Sequence, residues 1–240
     1  MRLLLTNDDG IDAPGLEALA RAAEGLAELV IVAPTQERSG CSHAATTHAP
    51  LRLEQRGPNR YALDGTPADC VRVALHRLEE PFDAVLAGIN SGGNLGVDVF
   101  HSGTVAAVRE GAIHGLPGIA VSRYRSRSLE AVDWERATEW TRPLLRDLLG
   151  RFERETAMWN INLPCLPAEA EQPGNGSLRS GHLATRRDVP RAGRAVALRG
   201  VYAERPRIEG RDVDVCFRAD CADEVGVDSV SIGQALIMPG

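Results

Sequence analysis

A short apolar run, Arg2-Leu3-Leu4-Leu5, stops at Thr6-Asn7-Asp8-Asp9-Gly10. Pro14 follows at a position suited to the first turn of a helix, and Leu16, Leu19, Ala20, Ala23 and Leu26 then recur at helical spacing. Leu29-Val30-Ile31-Val32-Ala33 is a second short apolar strand. A strand–helix–strand unit of this kind predicts a parallel sheet with a right-handed crossover. It also puts Asp8 and Asp9 at the carboxyl end of a strand, the edge at which open α/β sheets bind ligands. Two neighbouring carboxylates repel each other and are costly to take out of water, and a divalent cation removes both problems. Aspartate also favours turns and helix caps, so the pair by itself leaves a plain turn open.

The alternation continues downstream. Residues 51–54 and 60–63, flanking Gly57-Pro58-Asn59, read as a hairpin. A helix is expected from Pro67 to about Leu78, a strand over Asp83–Ala87, a helix over Val105–His114 and a strand over Gly118–Val121. A long helix over about 129–152 and a strand over Met158–Asn162, closed by Pro164, complete the pattern. Near residue 165 the helical period fades. Pro167–Gly181 reads as a loop or linker, and runs such as Ala195–Leu198, Val213–Val215 and Val230–Ile232 suggest strands of a smaller appendage. The expected division is a catalytic core over 1–165 and a strand-rich extension over 166–240.

Composition narrows the chemistry. With 27 basic and 33 acidic residues among 240 the formal charge is -6, without the basic surplus that a binder of long nucleic acid carries. Every basic residue other than histidine is an arginine, which excludes a P-loop lysine, a Schiff-base lysine and a lysine general base. Cys41, Cys70, Cys165, Cys216 and Cys221 are scattered with no C-x-x-C pair, so neither a zinc site nor a disulfide framework is expected. No apolar stretch approaches the roughly 20 residues of a membrane span, and because the first residues read as a strand no signal peptide is expected. The expectation is a reduced, cytoplasmic protein without a membrane partner.

Three further loops open on the same sheet edge as Asp8 and Asp9. In Ala33-Pro34-Thr35-Gln36-Glu37-Arg38-Ser39-Gly40, Ser39 offers a hydroxyl oxygen and Gly40 lets backbone approach closely. A serine nucleophile would need a base and an elbow; there is no G-x-S-x-G, and nothing marks His43 or His48 as a base. In Gly88-Ile89-Asn90-Ser91-Gly92-Gly93-Asn94-Leu95-Gly96, either Asn90 or Asn94 can ligate a hard cation through oxygen while the other donates to a phosphate. His101-Ser102-Gly103-Thr104 precedes an apolar helix; it is an ordinary N-cap and equally an anion seat at a helix start. The candidate ligands are all oxygens, which suits Mg²⁺ or Mn²⁺ better than zinc or copper. A hard cation beside an anion-binding helix start points to phosphate chemistry. Trp134, Trp140 and Trp159 read as core or interface, His76, His114 and His182 as structural or surface, and the run Arg123–Arg127 as a solvated loop.

Taken together, Thr6–Gly10, Pro14-Gly15, Ala33-Pro34, Arg38–Gly40, Gly65–Val71, Gly88–Asn90, Asn94–Gly96, Asp98-Val99, Ser102–Val105 and Glu110-Gly111 resemble the survival protein E (SurE) family of metal-dependent phosphatases. The resemblance runs continuously over about residues 1–165. It implies an α/β fold of Rossmann-like three-layer α/β/α type with a mostly parallel sheet and a smaller, strand-rich C-terminal extension. It implies hydrolysis of nucleoside 5′-monophosphates with one divalent metal ion, Mg or Mn, as cofactor. By the same likeness Asp8, Asp9, Ser39 and Asn90 are the metal ligands, and Asn94, Ser102, Gly103 and Thr104 the phosphate contacts. Asp8 or Asp9 would also orient the attacking water, which makes the pair the catalytic residues. A homodimer or homotetramer built through the extension is implied as well. Val230–Ile232 resembles the family's late strand, but segment 181–228 is arginine-rich and short, and the usual C-terminal tail is expected to be absent. Two other readings remain: a metal-dependent nucleotide-sugar transferase, and a nucleotide-binding module without catalysis.

Overall fold

The structure is a computed structural model that describes residues 1–124, 133–152 and 158–163, together with the backbone of 175–177 and 230–234. β1 (Arg2–Thr6) lies between β2 (Glu28–Pro34) and β5 (Ala84–Ser91), parallel to both. β6 (Gly118–Arg123) and β7 (Met158–Leu163) continue the parallel run. On the far side, β4 (Arg60–Leu63) pairs parallel to β2 and antiparallel to β3 (Leu53–Gly57). β9 (Val230–Gln234) pairs antiparallel to β7 and parallel to β8 (Asn175–Ser177). The sheet order is β3-β4-β2-β1-β5-β6-β7-β9-β8.

Strand alternation builds two cores. Leu3 and Leu5 face α1 (Pro14–Ala23) and α5 (Trp134–Leu149), where Leu16, Leu19, Trp140 and Leu144 close one layer. Leu4, Val30 and Val32 face α2 (Pro67–Arg77) and α4 (Gly103–Ile113), packing on Val71, Ala74, Val105 and Val108. Helices on both faces of a mostly parallel sheet are the three-layer arrangement expected from the sequence. A single turn, α3 (Asp98–His101), escaped the sequence reading; it ends where Ser102 caps α4. α5 begins at Trp134 rather than near 129, with the Asp133 carboxylate accepting from Arg136 N–H as its cap.

Two readings are corrected. The glycine-rich stretch was expected to begin as a loop at Gly88, yet β5 runs on to Ser91 with a register shift between Ala87 and Asn90. Gly88 has φ +130, and a Cβ there would sit 2.2 Å from the Val121 carbonyl, so glycine marks a bulge and close strand approach here rather than a turn. Arg123 is not solvated: it is 3% exposed at the end of β6 and donates to the Asp133 carbonyl. Residues 125–127 of that arginine run, Pro167–Gly174, the runs 195–198 and 213–215, and His182 lie outside the described residues. No helix among the described residues is long and apolar enough to cross a membrane.

Candidate active site

The carboxyl ends of β1, β2, β5, β6 and β7 meet at one edge of the sheet. Asn7 shapes the turn after β1: its side-chain amide donates to Gly10 O at 2.8 Å and its oxygen accepts from Gly10 N–H at 3.2 Å. That turn sends the next two side chains to different neighbours. Asp8 is 4% exposed and accepts a 2.5 Å hydrogen bond from the Thr104 hydroxyl in the first turn of α4. Asp9 is half-buried and accepts from Ser91 N–H at 3.3 Å, at the end of β5.

Burial pushes the Asp8 carboxyl up, although the Thr104 hydroxyl and backbone N–H groups of Asp8, Thr104 and Gly103 pull in the other direction. Asp9 rises to about 6, first from burial and then from the neighbouring charge of Asp8. Among the described residues no arginine or histidine forms an ion pair with either carboxylate. Two adjoining, partly desolvated carboxylates with no cationic partner fit a bound hard cation. No group of three or more His, Cys, Asp or Glu suited to a metal occurs among the described residues.

The other candidates come to the same edge in specific ways. Arg38 N–H donates to Asp8 O at 2.6 Å, which lays the Ser39 loop beside the pair. Ser39 itself is exposed, with its hydroxyl donating to Glu37 at 2.7 Å rather than to either aspartate. Asn90 donates its amide to Gly92 O at 2.7 Å, leaving its oxygen as the group for a cation. Ser102 caps α4 by accepting from Val105 N–H at 3.1 Å. Gly103 allows the close approach of helix and turn: a Cβ there would lie 2.8 Å from Asp8 Cβ and 3.0 Å from Cys41 Sγ. In this structure the start of α4 is therefore turned towards the Asp8 carboxylate.

Asn94 is buried, and its surroundings contain residues that the sequence reading passed over as strand. Its N–H donates to Asn162 Oδ1 at 2.8 Å, and its carbonyl accepts from Asn162 at 3.2 Å and Asn160 at 2.9 Å. Its side-chain amide donates to Ser122 Oγ at 2.7 Å. Alternating asparagines in an otherwise apolar strand, Asn160-Ile161-Asn162, were the available signal, because a buried amide needs partners. A cavity of about 500 Å³ adjoins Asp9, bounded by the 10–15 turn, Thr35–Glu37, Ser91 and Trp134.

Comparison with known proteins settles the kinship. The family model described as "Survival protein SurE" matches residues 3–184. The chain belongs to the SurE family. A protein of Nostoc described as a putative 5′-nucleotidase is 44% identical over 229 residues, covering 92% of this chain and 97% of its own. The 5′-nucleotidase SurE of Heliobacterium modesticaldum is 41% identical over 223 residues, covering 89% and 81%. The crystal structure of a SurE protein from Aquifex aeolicus superposes with a TM-score of 0.82 at 31% identity, covering 98% of this chain and 93% of that one. The resemblance drawn from the four loops and the fold expected from it both hold.

Proposed function

We propose that this protein is a divalent-metal-dependent phosphomonoesterase that hydrolyses nucleoside 5′-monophosphates to nucleoside and phosphate. The observation that carries the reading is the Asp8–Asp9 pair: two partly desolvated carboxylates without a cationic partner among the described residues, set against the start of α4 in a SurE-family chain. The names of the Nostoc and Heliobacterium relatives support the activity and the substrate class.

Asp8, Asp9, Ser39 and Asn90 would hold one Mg²⁺ or Mn²⁺. When bound, the ion supplies Lewis-acid polarisation of a phosphoryl oxygen. Asp8 or Asp9, in carboxylate form, orients the attacking water by accepting its proton in a hydrogen bond. Asn94 and the Ser102-Gly103-Thr104 turn hold the phosphate, with the N–H groups at the start of α4 facing the charge that develops on its oxygens. The cavity beside Asp9 suits the nucleoside, since its volume falls within the range of small-molecule pockets, about 300–1,000 Å³. Residues 1–165 are the catalytic core in this reading and 166–240 an extension that builds a homodimer or homotetramer, a division supported by the change in sequence pattern near residue 165.

A phosphate-release screen over nucleoside monophosphates and phosphorylated sugars, with and without EDTA, tests the reading. The expected result is release from nucleoside monophosphates that EDTA stops and Mn²⁺ restores. Release untouched by the chelator, or nucleotide binding without release in Mn²⁺, overturns it.

A further inference from the structure

Glu110, part of a motif that the active site does not use, is a buried carboxylate with three basic neighbours. It is 7% exposed in α4. Its Oε2 meets His43 Nε2 at 2.6 Å, and its Oε1 meets His114 Nε2 at 3.3 Å and Arg72 Nε at 3.5 Å. His114 belongs to the end of the same helix and Arg72 to α2. His43 comes from the segment 35–52, which joins β2 to β3 without helix or strand and carries Ser39.

The placement along α4 gives the contact its meaning. Gly103 and Glu110 are seven residues apart, two helical turns, and so share a face. At the Gly103 end this face touches Asp8 and Cys41, and at the Glu110 end it grips His43, two residues beyond Cys41. Just ahead of α4, in α3, Phe100 and His101 hold the intervening residue: Ser42 N–H donates to His101 O at 3.1 Å and the Ser42 hydroxyl to Phe100 O at 2.7 Å. The stretch 41–43 is thus laid along the start of α4 and held at both ends. A long irregular segment loses much conformational entropy when ordered, so its anchors decide whether Ser39 is presented in one place.

We infer that the Glu110–His43 pair is a positioning device: it fixes the loop carrying Ser39 against α4, so that the Ser39 oxygen and the phosphate seat are set in register. Neither residue is among the metal ligands or phosphate contacts of the proposed site. The inference rests on the reading of Ser39 as a metal ligand. His114 and Arg72 contact the same carboxylate but do not hold the loop, and this separates positioning from mere burial of a charge.

The test compares His43→Ala, His43→Gln, Glu110→Gln and His114→Ala in the full-length protein. Each is measured for Mn²⁺ dissociation constant by titration calorimetry, for kcat and KM on a nucleoside monophosphate, for Tm, and for amide hydrogen exchange over 38–46. Outer residues that orient metal ligands typically change metal affinity or activity by about 10–100-fold. His43→Ala is expected to weaken Mn²⁺ by about tenfold and speed exchange over 38–46, with Glu110→Gln in the same direction. His43→Gln, whose amide can still donate to Glu110, should recover most of the loss, and His114→Ala should lower Tm while leaving Mn²⁺ affinity within about twofold. Unchanged Mn²⁺ affinity and exchange in His43→Ala, or equal losses in His43→Ala and His114→Ala, overturn the inference. A wild-type protein that takes up no Mn²⁺ overturns the metal reading, and with it the purpose assigned to the pair, while exchange over 38–46 still reports whether the pair holds the loop.

Discussion

Two groups of buried acids lie on the α2/α4 side and at the sheet edge, and they are built on opposite principles. Asp69, 1% exposed, accepts from Thr46 N–H and its hydroxyl, at 2.8 and 2.7 Å, and from Thr66 N–H at 3.1 Å. Burial pushes its carboxyl up, but these hydrogen bonds together outweigh burial and hold it below the usual value. Glu110 is likewise surrounded by His43, His114 and Arg72. Asp8 and Asp9 have no basic partner among the described residues, and burial wins over their hydrogen bonds, so both are raised. The first kind of acid is satisfied by its neighbours; the second is left raised by burial and by the charge beside it. On the proposed reading of Asp8 and Asp9 as metal ligands, this is what separates a cation site from an anchor made of the same residue types.

The largest break in this contrast is chemical. Asp9→Asn removes a charge from the pair and should reduce phosphate release by about a thousandfold or more, a loss of the size seen when a key electrostatic contact in a site is deleted. Circular dichroism should show the variant still folded. Near-normal turnover of a nucleotide by this variant would refute the assignment. EDTA should produce the same loss in the wild type, reversed by Mn²⁺.

Next in size is Gly103→Ala. The new methyl must displace Asp8 Cβ or Cys41 Sγ, so about 1–3 kcal/mol of stability and most of the activity should be lost together, as read from urea denaturation and steady-state kinetics.

Asp69→Asn and Asp9→Asn then sharpen the comparison through their opposite signs in stability. Asp69→Asn leaves Thr46 and Thr66 donors poorly matched and should cost about 1–3 kcal/mol at pH 7. Because the folded-state value of Asp69 is depressed, its stabilisation is present above pH 3.8 and fades as pH falls through the folded value. The deficit of the variant should shrink in acid.

Asp9 behaves in reverse. Its folded-state value is raised from 3.8 to about 6, so stability is fully present below pH 3.8 and lost as pH rises to about 6. In EDTA at pH 7, Asp9→Asn should therefore melt slightly above the wild type, and the gap should close as pH is lowered towards 4. Saturating Mn²⁺ should reverse the order, because only the wild type gains from the ion. Thermal melts with and without metal across this pH range read both signs.

The linear order of residues determined the α/β class, the position of most strands and helices, and the four loops that face the site. These are local matters: apolar period, caps and turn residues decide them within a few positions, as in Leu3–Leu5 against Leu4 or Thr66 capping α2. The kinship was legible for the same reason, since Thr6–Gly10 and Ser102–Val105 are short contiguous motifs. The tertiary structure alone decided what Gly88, Arg123, Asn160, Asn162 and Glu110 are for. Gly88 yields to a carbonyl on a neighbouring strand, Arg123 reaches across to Asp133, and the asparagines clasp Asn94 from 66 and 68 residues away. Likewise Glu110 meets His43 across 67 residues. A side chain's partner at such separations is fixed by which elements the sheet order brings together, and no local pattern encodes that.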